Sequence, residues 1–297
     1  MSTKADSYQI ITDAIIARLE EGIIPWQKPW TGVNSPNSPR NLISKKPYSG
    51  MNHFILSSAC YESPYWVTYK QAKQKGGCVR KGEKATPVIY WNMIKVDSDK
   101  VDAKGKKVKK VIPMLKHYYV FNTDQCDDVK VPTIEETTES IEEFSPIEKA
   151  EAIVAAYATC PEIRHAQQRA FYSPSSDFIN MPQKESFKGE EEYYATLFHE
   201  MGHSTGHASR LNREGIVNFD TFGSHQYSKE ELVAEFTSCY LCGNADILPT
   251  IQDNSVAYIQ SWSKKLRDDK KLIISACSKA TKAADYILGI SREYTNK

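Results

Sequence analysis

The segment LFHEMGHSTGH (197–207) constrains the fold of this chain more than any other stretch. Apolar residues recur through it at helical spacing, and three glutamates at 190–192 lie where a helix start favours negative charge, so the sequence predicts a helix. On such a helix His199 and His203 are one turn apart and can bind one metal ion, with Glu200 beside them. This HExxH spacing is typical of zinc hydrolases, in which two histidines are ligands and the glutamate is the general base. The alternative is an ordinary helix with two surface histidines.

A hydrolytic zinc site needs a third protein ligand and an open position for water. His207 follows His199 by eight residues, about 12 Å along a continuous helix, which is too far for both to bind one ion. Ser209 stands where a metzincin-type protease has its third histidine. The segment YSKEELVAEF offers a better match, because thermolysin-like proteases take a glutamate from a second helix, with a small residue at +3 and a carboxylate at +4. We therefore expect Glu231 to bind the metal and Glu235 to orient a ligand histidine.

One alternative to this ligand set stays open. Ser228 and Glu231 have the spacing of a helix-capping box, in which the glutamate satisfies only backbone N–H groups, and Glu235 is then the ligand. In either case we expect one divalent ion per chain, zinc. Tyr227 or His225 is a candidate to stabilise the oxyanion, and the segment FYSPSSDFINMP is either an edge strand for an extended peptide or an ordinary core strand.

The charge distribution suggests two domains. Residues 1–130 hold 21 Lys and Arg against 12 Asp and Glu, a net +9, whereas residues 131–297 hold 17 against 25, a net −8. Residues 131–145 contain five glutamates and no basic residue, which is typical of a solvated linker. We predict an α+β chain with a basic α+β domain (1–130), an acidic linker (131–145) and a mainly helical, zincin-like domain (146–297).

The sequence also disfavours several protein classes. Its amino terminus has no uninterrupted apolar stretch of the signal-peptide type, and no segment approaches the roughly 18 apolar residues of a membrane span. Seven cysteines, an odd number at scattered positions, disfavour a disulfide framework and favour a reducing compartment. We therefore expect a cytoplasmic protein with no membrane partner.

Residues 26–91 interleave aromatic and basic side chains. Single-stranded nucleic acid binds in cationic grooves whose aromatic side chains stack on the bases. The alternative is that most of the aromatics are core and the lysines a solvated surface, but for the cluster as a whole we favour nucleic acid. The candidate stacking residues are Trp26, Trp30, Tyr48, Trp66, Tyr69 and Trp91. The candidate phosphate contacts are Arg40, Lys45, Lys46, Lys70, Lys73, Arg80, Lys81 and Lys84. The basic run 104–110 extends the predicted groove.

Six segments in order carry a family resemblance: IIPWQKPW, KKPYSGMN, WVTYKQAKQKGGCVRKGEKATPVIYW, FYSPSSDFINMP, LFHEMGHSTGHASRLNR and YSKEELVAEF. With them, the chain resembles the ArdC antirestriction proteins of conjugative plasmids over essentially its whole length. The resemblance implies an amino-terminal domain that binds single-stranded DNA, similar to a domain of plasmid primases. It also implies a zincin-like domain and a role in protecting incoming plasmid DNA during conjugation.

Two functions are compatible with these features. The first is a zinc metallopeptidase brought by single-stranded DNA to a protein substrate among the host restriction components. The second is a pure single-stranded-DNA-binding protein that acts by occupancy and carries a structural or vestigial metal site. The intact HExxH favours the first, because a structural site has no need of Glu200.

Overall fold

The computed structural model describes residues 6–26, 38–101, 107–132, 145–218, 225–247 and 256–291. The predicted stacking residue Trp30 and most of the predicted linker lie outside these residues, so neither is described. The predicted domain boundary therefore stays a prediction. Among the described residues, no helix is long and apolar enough to cross a membrane.

The amino-terminal half is a small sheet flanked by helices. Its elements are α1 (Ser7–Glu20), β1 (Arg40–Asn41), α2 (Met51–Ser58), β2 (Tyr65–Val67), α3 (Tyr69–Gln74), β3 (Cys78–Val79), β4 (Thr86–Val101), β5 (Lys107–Asn122) and β6 (Cys126–Asp127). The sheet order is β1-β2-β5-β4, and β3 pairs separately with β6. Helix α3 begins with a capping box, in which Thr68 and Gln71 exchange side-chain to backbone hydrogen bonds.

The longest feature of this half is the β4–β5 hairpin. Its antiparallel register runs from Thr86 opposite Val120 to Asp97 opposite Lys109. Both strands are rich in β-branched and aromatic residues, which favour extended backbone. Among the described side chains at 91–96 and 109–114, most are exposed, and the hairpin packs against α1 and α2.

The carboxyl-terminal half is mainly helical. Its elements are α4 (Pro146–Ala156), β7 (Glu162–Arg164), β8 (Phe171–Ser173), β9 (Phe178–Asn180), α5 (Glu190–Ser204), α6 (Glu214–Val217), α7 (His225–Ala245), α8 (Val256–Asp268) and α9 (Leu272–Ile287). The three short strands form a sheet of order β7-β9-β8, and α7 packs against both α5 and α9. With the amino-terminal sheet, this arrangement confirms the predicted α+β class.

The largest hydrophobic core joins the two halves. Ile11 and Leu19 of α1 and Phe54 of α2 are fully buried in the same cluster as Phe236 of α7. The ring of Phe54 lies 4.5 Å, centroid to centroid, from that of Phe236. The amino-terminal helices therefore complete the core of the helical half.

Three of the six predicted stacking residues are wrong, because the structure buries them. Trp26 is 0% exposed in the shared core, and Trp66 (1%) and Tyr48 (8%) pack together beneath β4 and β5. An aromatic ring gains more free energy from complete burial than a surface position offers, and a buried ring has no face for a base. Tyr69 and Trp91 are exposed, at 51% and 44%.

Candidate metal centre

Helix α5 presents the two histidines of the HExxH segment. Its first turn carries three glutamates, and its apolar residues, including Leu197 and Phe198, are buried against neighbouring elements. On the face towards α7, the Nε2 atoms of His199 and His203 are 3.2 Å apart. The helix predicted from the sequence is confirmed, with both imidazoles converging on one point.

Helix α7 brings Glu231 to the same point. One carboxylate oxygen lies 3.6 Å from Nε2 of His199 and the other lies 3.4 Å from Nε2 of His203. An ion about 2.0–2.1 Å from each ligand atom in a tetrahedral site separates those atoms by about 3.3 Å. The three residues predicted as ligands are thus together at distances that suit one divalent cation.

The two helices approach closely because small residues meet between them. A Cβ atom on Gly202 would lie 3.1 Å from Cα of Ala234 and 3.1 Å from Cβ of Thr237. Such contacts are tighter than ordinary van der Waals packing, so the glycine allows α5 and α7 to come together here. Ala234, the small residue expected three positions after Glu231, therefore also allows the two helices to come close.

The electrostatics of the three residues favour a cation between them. Burial opposes the charged form of His203, but the carboxylates of Glu230 and Glu231 outweigh it and raise its pKa to about 10. His199 is mostly buried, and although this burial opposes its charged form, Glu231 raises its pKa in the same way. Burial likewise opposes the ionised form of Glu231, but the two histidines lower its pKa strongly. Glu200, the predicted general base, lies between the two histidines in the chain and is 7% exposed.

The capping-box alternative for Glu231 is wrong. Helix α7 begins at His225, so Ser228 lies inside the helix rather than at its cap. The side chains of His225 and Tyr227, the candidates for oxyanion stabilisation, lie outside the described part of the chain. With Ser228 inside the helix, Glu231 is available to the metal centre.

Glu235 lies deeper in the protein, one turn beyond Glu231. Its carboxylate accepts a hydrogen bond of 2.8 Å from the hydroxyl of Tyr258, and burial raises its pKa. The predicted role of Glu235 in orienting a ligand histidine stays a prediction. The carboxylate that faces the outer nitrogen of a ligand histidine is a different one, that of Glu230, whose Oε1 lies 3.6 Å from Nδ1 of His203.

Sequence reasoning missed Glu230 and its partner Arg213. Both are buried and form an ion pair behind His203. The sequence offered a signal for Glu230, because it is adjacent to Glu231 in YSKEELVAEF. Successive helix positions point about 100° apart, so the two carboxylates must have different partners. The arginine gave none, because its position next to α7 depends on the loop after α5.

Beside α5 the predicted strands of FYSPSSDFINMP are present as β8 and β9, and β8 forms one edge of their sheet. A cavity of about 620 Å³ adjoins β8 and is lined by Phe171, Tyr172, His207 and Ile216, among others. Its walls are mostly apolar. The use of β8 as a site for an extended peptide stays a prediction.

Most of the predicted phosphate contacts are exposed in the amino-terminal half. Lys45, Lys46, Lys70, Lys73, Lys81 and Lys84 are exposed, and Arg40 is half-buried. Arg80 is committed to ion pairs with Glu83 and Asp127, so it is a weaker candidate than the lysines. The ammonium group of Lys73 lies 5.0 Å from the ring centroid of Tyr69, which pairs a cation with an exposed aromatic face.

The hairpin adds two exposed aromatic residues that were not predicted. Tyr90 is 44% exposed and Tyr119 is 47% exposed. Tyr119 is opposite Pro87 and Trp91 is opposite Leu115, so Trp91 and Tyr119 lie on the same face of the two strands. Exposed Lys95, Lys109 and Lys110 follow towards the tip of the hairpin.

Two family models match the chain in succession. The N-terminal domain of the anti-restriction factor ArdC matches residues 5–121, and a zincin-like metallopeptidase model matches residues 148–279. Two solved structures of the antirestriction protein ArdC from plasmid R388 are also similar, each 37% identical. The metal-free form covers 96% of this chain and 99% of its own, with a TM-score of 0.72. The Mn(II)-bound form covers 98% and 100%, with a TM-score of 0.70.

Three curated relatives match nearly the whole of this chain, and they differ in their own length. Two Escherichia coli proteins named DNA primase TraC are 36% and 37% identical over 99% and 98% of this chain. This chain spans only 20% and 28% of their lengths. The uncharacterised protein y4eC of Sinorhizobium fredii is 33% identical, and the match covers 96% of this chain and 92% of that protein.

Proposed function

This chain belongs to the ArdC antirestriction family, and from that premise we propose that it binds single-stranded DNA and hydrolyses protein at a zinc site, protecting incoming plasmid DNA during conjugation. The two matching domains and the metal-bound relative support a divalent metal ion in the carboxyl-terminal half. Zinc, the peptidase activity and the single-stranded partner are the proposed parts.

The observation that carries the catalytic proposal is the convergence of His199, His203 and Glu231 on one point, with Glu200 next to His199 on the same helix. The two Nε2 atoms on α5 lie 3.2 Å apart, and each lies 3.4–3.6 Å from one carboxylate oxygen of Glu231 on α7. Two imidazoles and one carboxylate are the donor set of gluzincin-type hydrolytic zinc sites. A purely structural site is usually closed by four protein ligands, and the described residues bring three together here.

The roles of the chain's own residues follow from this arrangement. A bound zinc ion supplies Lewis acidity, which polarises a substrate carbonyl and lowers the pKa of water. Glu200 accepts the proton of the attacking water and passes it to the leaving amine. His199, His203 and Glu231 hold the ion, and the close contact at Gly202 keeps their helices at the required separation.

The observation that supports DNA binding is the exposed surface of the amino-terminal half. Tyr69, Trp91 and Tyr119 are exposed, and exposed lysines lie on α3 and on the hairpin. Aromatic faces stack on bases of any sequence, and lysines neutralise phosphates. The net +9 of residues 1–130 attracts the strand, whereas the net −8 of residues 131–297 repels it and leaves the metal centre open to protein.

The decisive experiment replaces the general base alone. Glu200→Gln keeps the ligands, so metal content and single-strand binding should not change. Cleavage of host restriction-enzyme subunits, assayed with and without single-stranded DNA, should fall by about 10²–10⁴-fold or more. The matched control is Glu191→Gln, an exposed change in the first turn of the same helix, which should retain full activity.

Protection of transferred DNA in cells then separates the two functions. If Glu200→Gln loses protection while binding strands and metal normally, proteolysis accounts for the antirestriction effect. Full protection by the same variant would mean that occupancy of the strand is sufficient, and the peptidase proposal would fail as the account of function.

A further inference from the structure

Arg213 is a buried cation between the two helices that carry the metal ligands. It lies in the loop between α5 and α6, and its side chain is 6% exposed. Its Nε donates to both carboxylate oxygens of Glu230, at 3.2 and 3.0 Å, and its Nη2 donates to Oε1 of the same residue at 2.5 Å. This forked contact fixes the orientation of the carboxylate as well as its charge.

The same guanidinium also holds the end of α5. Its Nη1 donates to Oγ1 of Thr205 at 2.6 Å, and its Nη2 donates to the carbonyl of Gly202 at 2.8 Å and more weakly to that of His203 at 3.4 Å. These carbonyls belong to the last turn of α5, where that of Gly202 also accepts the hydroxyl of Thr205 at 2.7 Å and that of His203 also accepts the N–H of Gly206 at 2.8 Å. One side chain therefore fastens the turn that contains His203 to the start of α7.

Glu230 faces the outer nitrogen of that histidine. Its Oε1 lies 3.6 Å from Nδ1 of His203, which is buried and has no hydrogen-bond partner within the usual distance in the described structure. A ligand histidine that uses Nε2 for the metal usually donates its Nδ1–H to a carboxylate, which fixes the tautomer and the plane of the ring. The Glu230 carboxylate lies on the side of the ring where this acceptor is needed.

We infer that Arg213 is a positioning residue for the metal centre and that it acts through Glu230 on His203. This inference rests on the proposed metal site. The guanidinium holds the Glu230 carboxylate behind the imidazole, and the carboxylate sets the ring so that Nε2 points at the ion.

Arg210 provides a matched control for a merely structural role. It lies three residues earlier in the same loop, and its side chain is 4% exposed. It forms an ion pair with Asp177, donates to the hydroxyl of Tyr172 at 3.1 Å and donates to the carbonyl of Ser204 at 2.7 Å. It is thus a buried, ion-paired arginine that also holds the end of α5, without contact to Glu230.

The test compares Arg213→Met with Arg210→Met in the full chain. The dissociation constant for Zn(II) is measured by competition with a chromophoric chelator, and the melting temperature is measured without metal. Both variants should melt at lower temperature, because Arg213→Met leaves the buried Glu230 carboxylate without its cation and Arg210→Met removes an ion pair and a hydrogen bond to the carbonyl of Ser204. Only Arg213→Met should bind Zn(II) more weakly, by about 10- to 100-fold. Equal affinity in the two variants would overturn the inference.

A second substitution keeps the test decisive if Arg213→Met does not fold. Glu230→Gln has nearly the same size and should also weaken Zn(II) binding by at least about 10-fold, so unchanged affinity in this folded variant would overturn the inference. The double variant should bind Zn(II) no more weakly than Arg213→Met alone, because both substitutions remove the same effect on His203. If its fold-loss in affinity equals the product of the two single-variant losses, Arg213 does not act through Glu230.

A failure of the metal site itself is distinguished by His203→Ala. This variant should bind Zn(II) far more weakly than Arg213→Met or Glu230→Gln. If His203→Ala keeps full affinity, the ligand set is wrong, whereas if it loses affinity and Arg213→Met does not, only the positioning role is wrong.

Discussion

The indole ring of Trp26 meets the ring of Phe236 edge-on, with 5.5 Å between the two centroids. Trp26 follows α1, and Phe236 lies on α7 five residues after the proposed ligand Glu231. Trp262 of α8 closes the other side of the indole at 6.0 Å. A residue that the sequence associates with DNA therefore forms part of the core beneath the metal centre, and the two halves share their stability.

The first prediction concerns that core. Trp26→Ala should lower the free energy of unfolding by about 3–5 kcal/mol, because a completely buried aromatic side chain is replaced by a cavity. The control is Trp91→Ala on the exposed hairpin, which should change stability by about 0.5 kcal/mol or less. Urea unfolding followed by circular dichroism measures both. Equal stability of the two variants would contradict the burial of Trp26.

The second prediction assigns DNA binding to the hairpin. Trp91→Ala and Tyr119→Ala should each weaken binding of a fluorescent single-stranded oligonucleotide by about 1–3 kcal/mol, the usual contribution of one stacked base. Replacing Lys109 and Lys110 by alanine should flatten the dependence of log K on log salt by about 0.7 for each phosphate that is no longer neutralised. Fluorescence anisotropy over a range of salt concentrations measures both effects.

A different result would locate the strand elsewhere. If Trp91→Ala and Tyr119→Ala bind normally while Tyr69→Ala binds weakly, the strand follows α3 rather than the hairpin. Preference for duplex over single strands in the unaltered protein would contradict stacking altogether, because paired bases do not offer their faces.

Local patterns in the sequence predicted helix α5 and the three residues that the structure brings together at the candidate metal centre. Helical spacing and first-turn glutamates identify α5, and the HExxH and ExxAE segments bring together His199, His203 and Glu231. Which aromatic rings are buried was not predictable from composition, since Trp26 and Trp91 have similar cationic neighbours and opposite environments. The position of Arg213 depends on a loop of irregular geometry, so no periodicity could place it behind His203.

The third prediction concerns pH and the buried His53. Burial lowers its pKa to about 4, while in the unfolded chain the pKa is near 6.5. The folded state therefore favours the neutral ring, and this contribution to stability is complete above pH 6.5 and is lost as the pH falls towards 4. Between pH 7 and pH 4.5 the contribution of His53 to the free energy of unfolding should decrease by about 2–3 kcal/mol.

The variant His53→Gln isolates this contribution. Other groups titrate in the same range, so the quantity to compare is the difference in unfolding free energy between the two proteins at each pH. That difference should shrink by about 2–3 kcal/mol between pH 7 and pH 4.5. A difference that stays constant would mean that His53 has the same pKa in the folded and the unfolded chain, which would contradict its burial as a neutral ring.

The last prediction concerns the separation of the two ligand helices. Gly202→Ala adds a Cβ that lies 3.1 Å from the backbone of Ala234, so α5 and α7 must move apart by a few tenths of an ångström. Since His199 and His203 are on one helix and Glu231 is on the other, the shift should lengthen every distance across the metal centre and weaken Zn(II) binding.

The control is Gly189→Ala at the start of α5, where a Cβ meets nothing within 4 Å and the backbone is extended. Isothermal titration with Zn(II) should show a loss for Gly202→Ala only, even though alanine favours the helix more than glycine by about 1 kcal/mol. Unchanged affinity in Gly202→Ala would show that the centre tolerates separation of the helices, and the close approach would then serve packing rather than the metal.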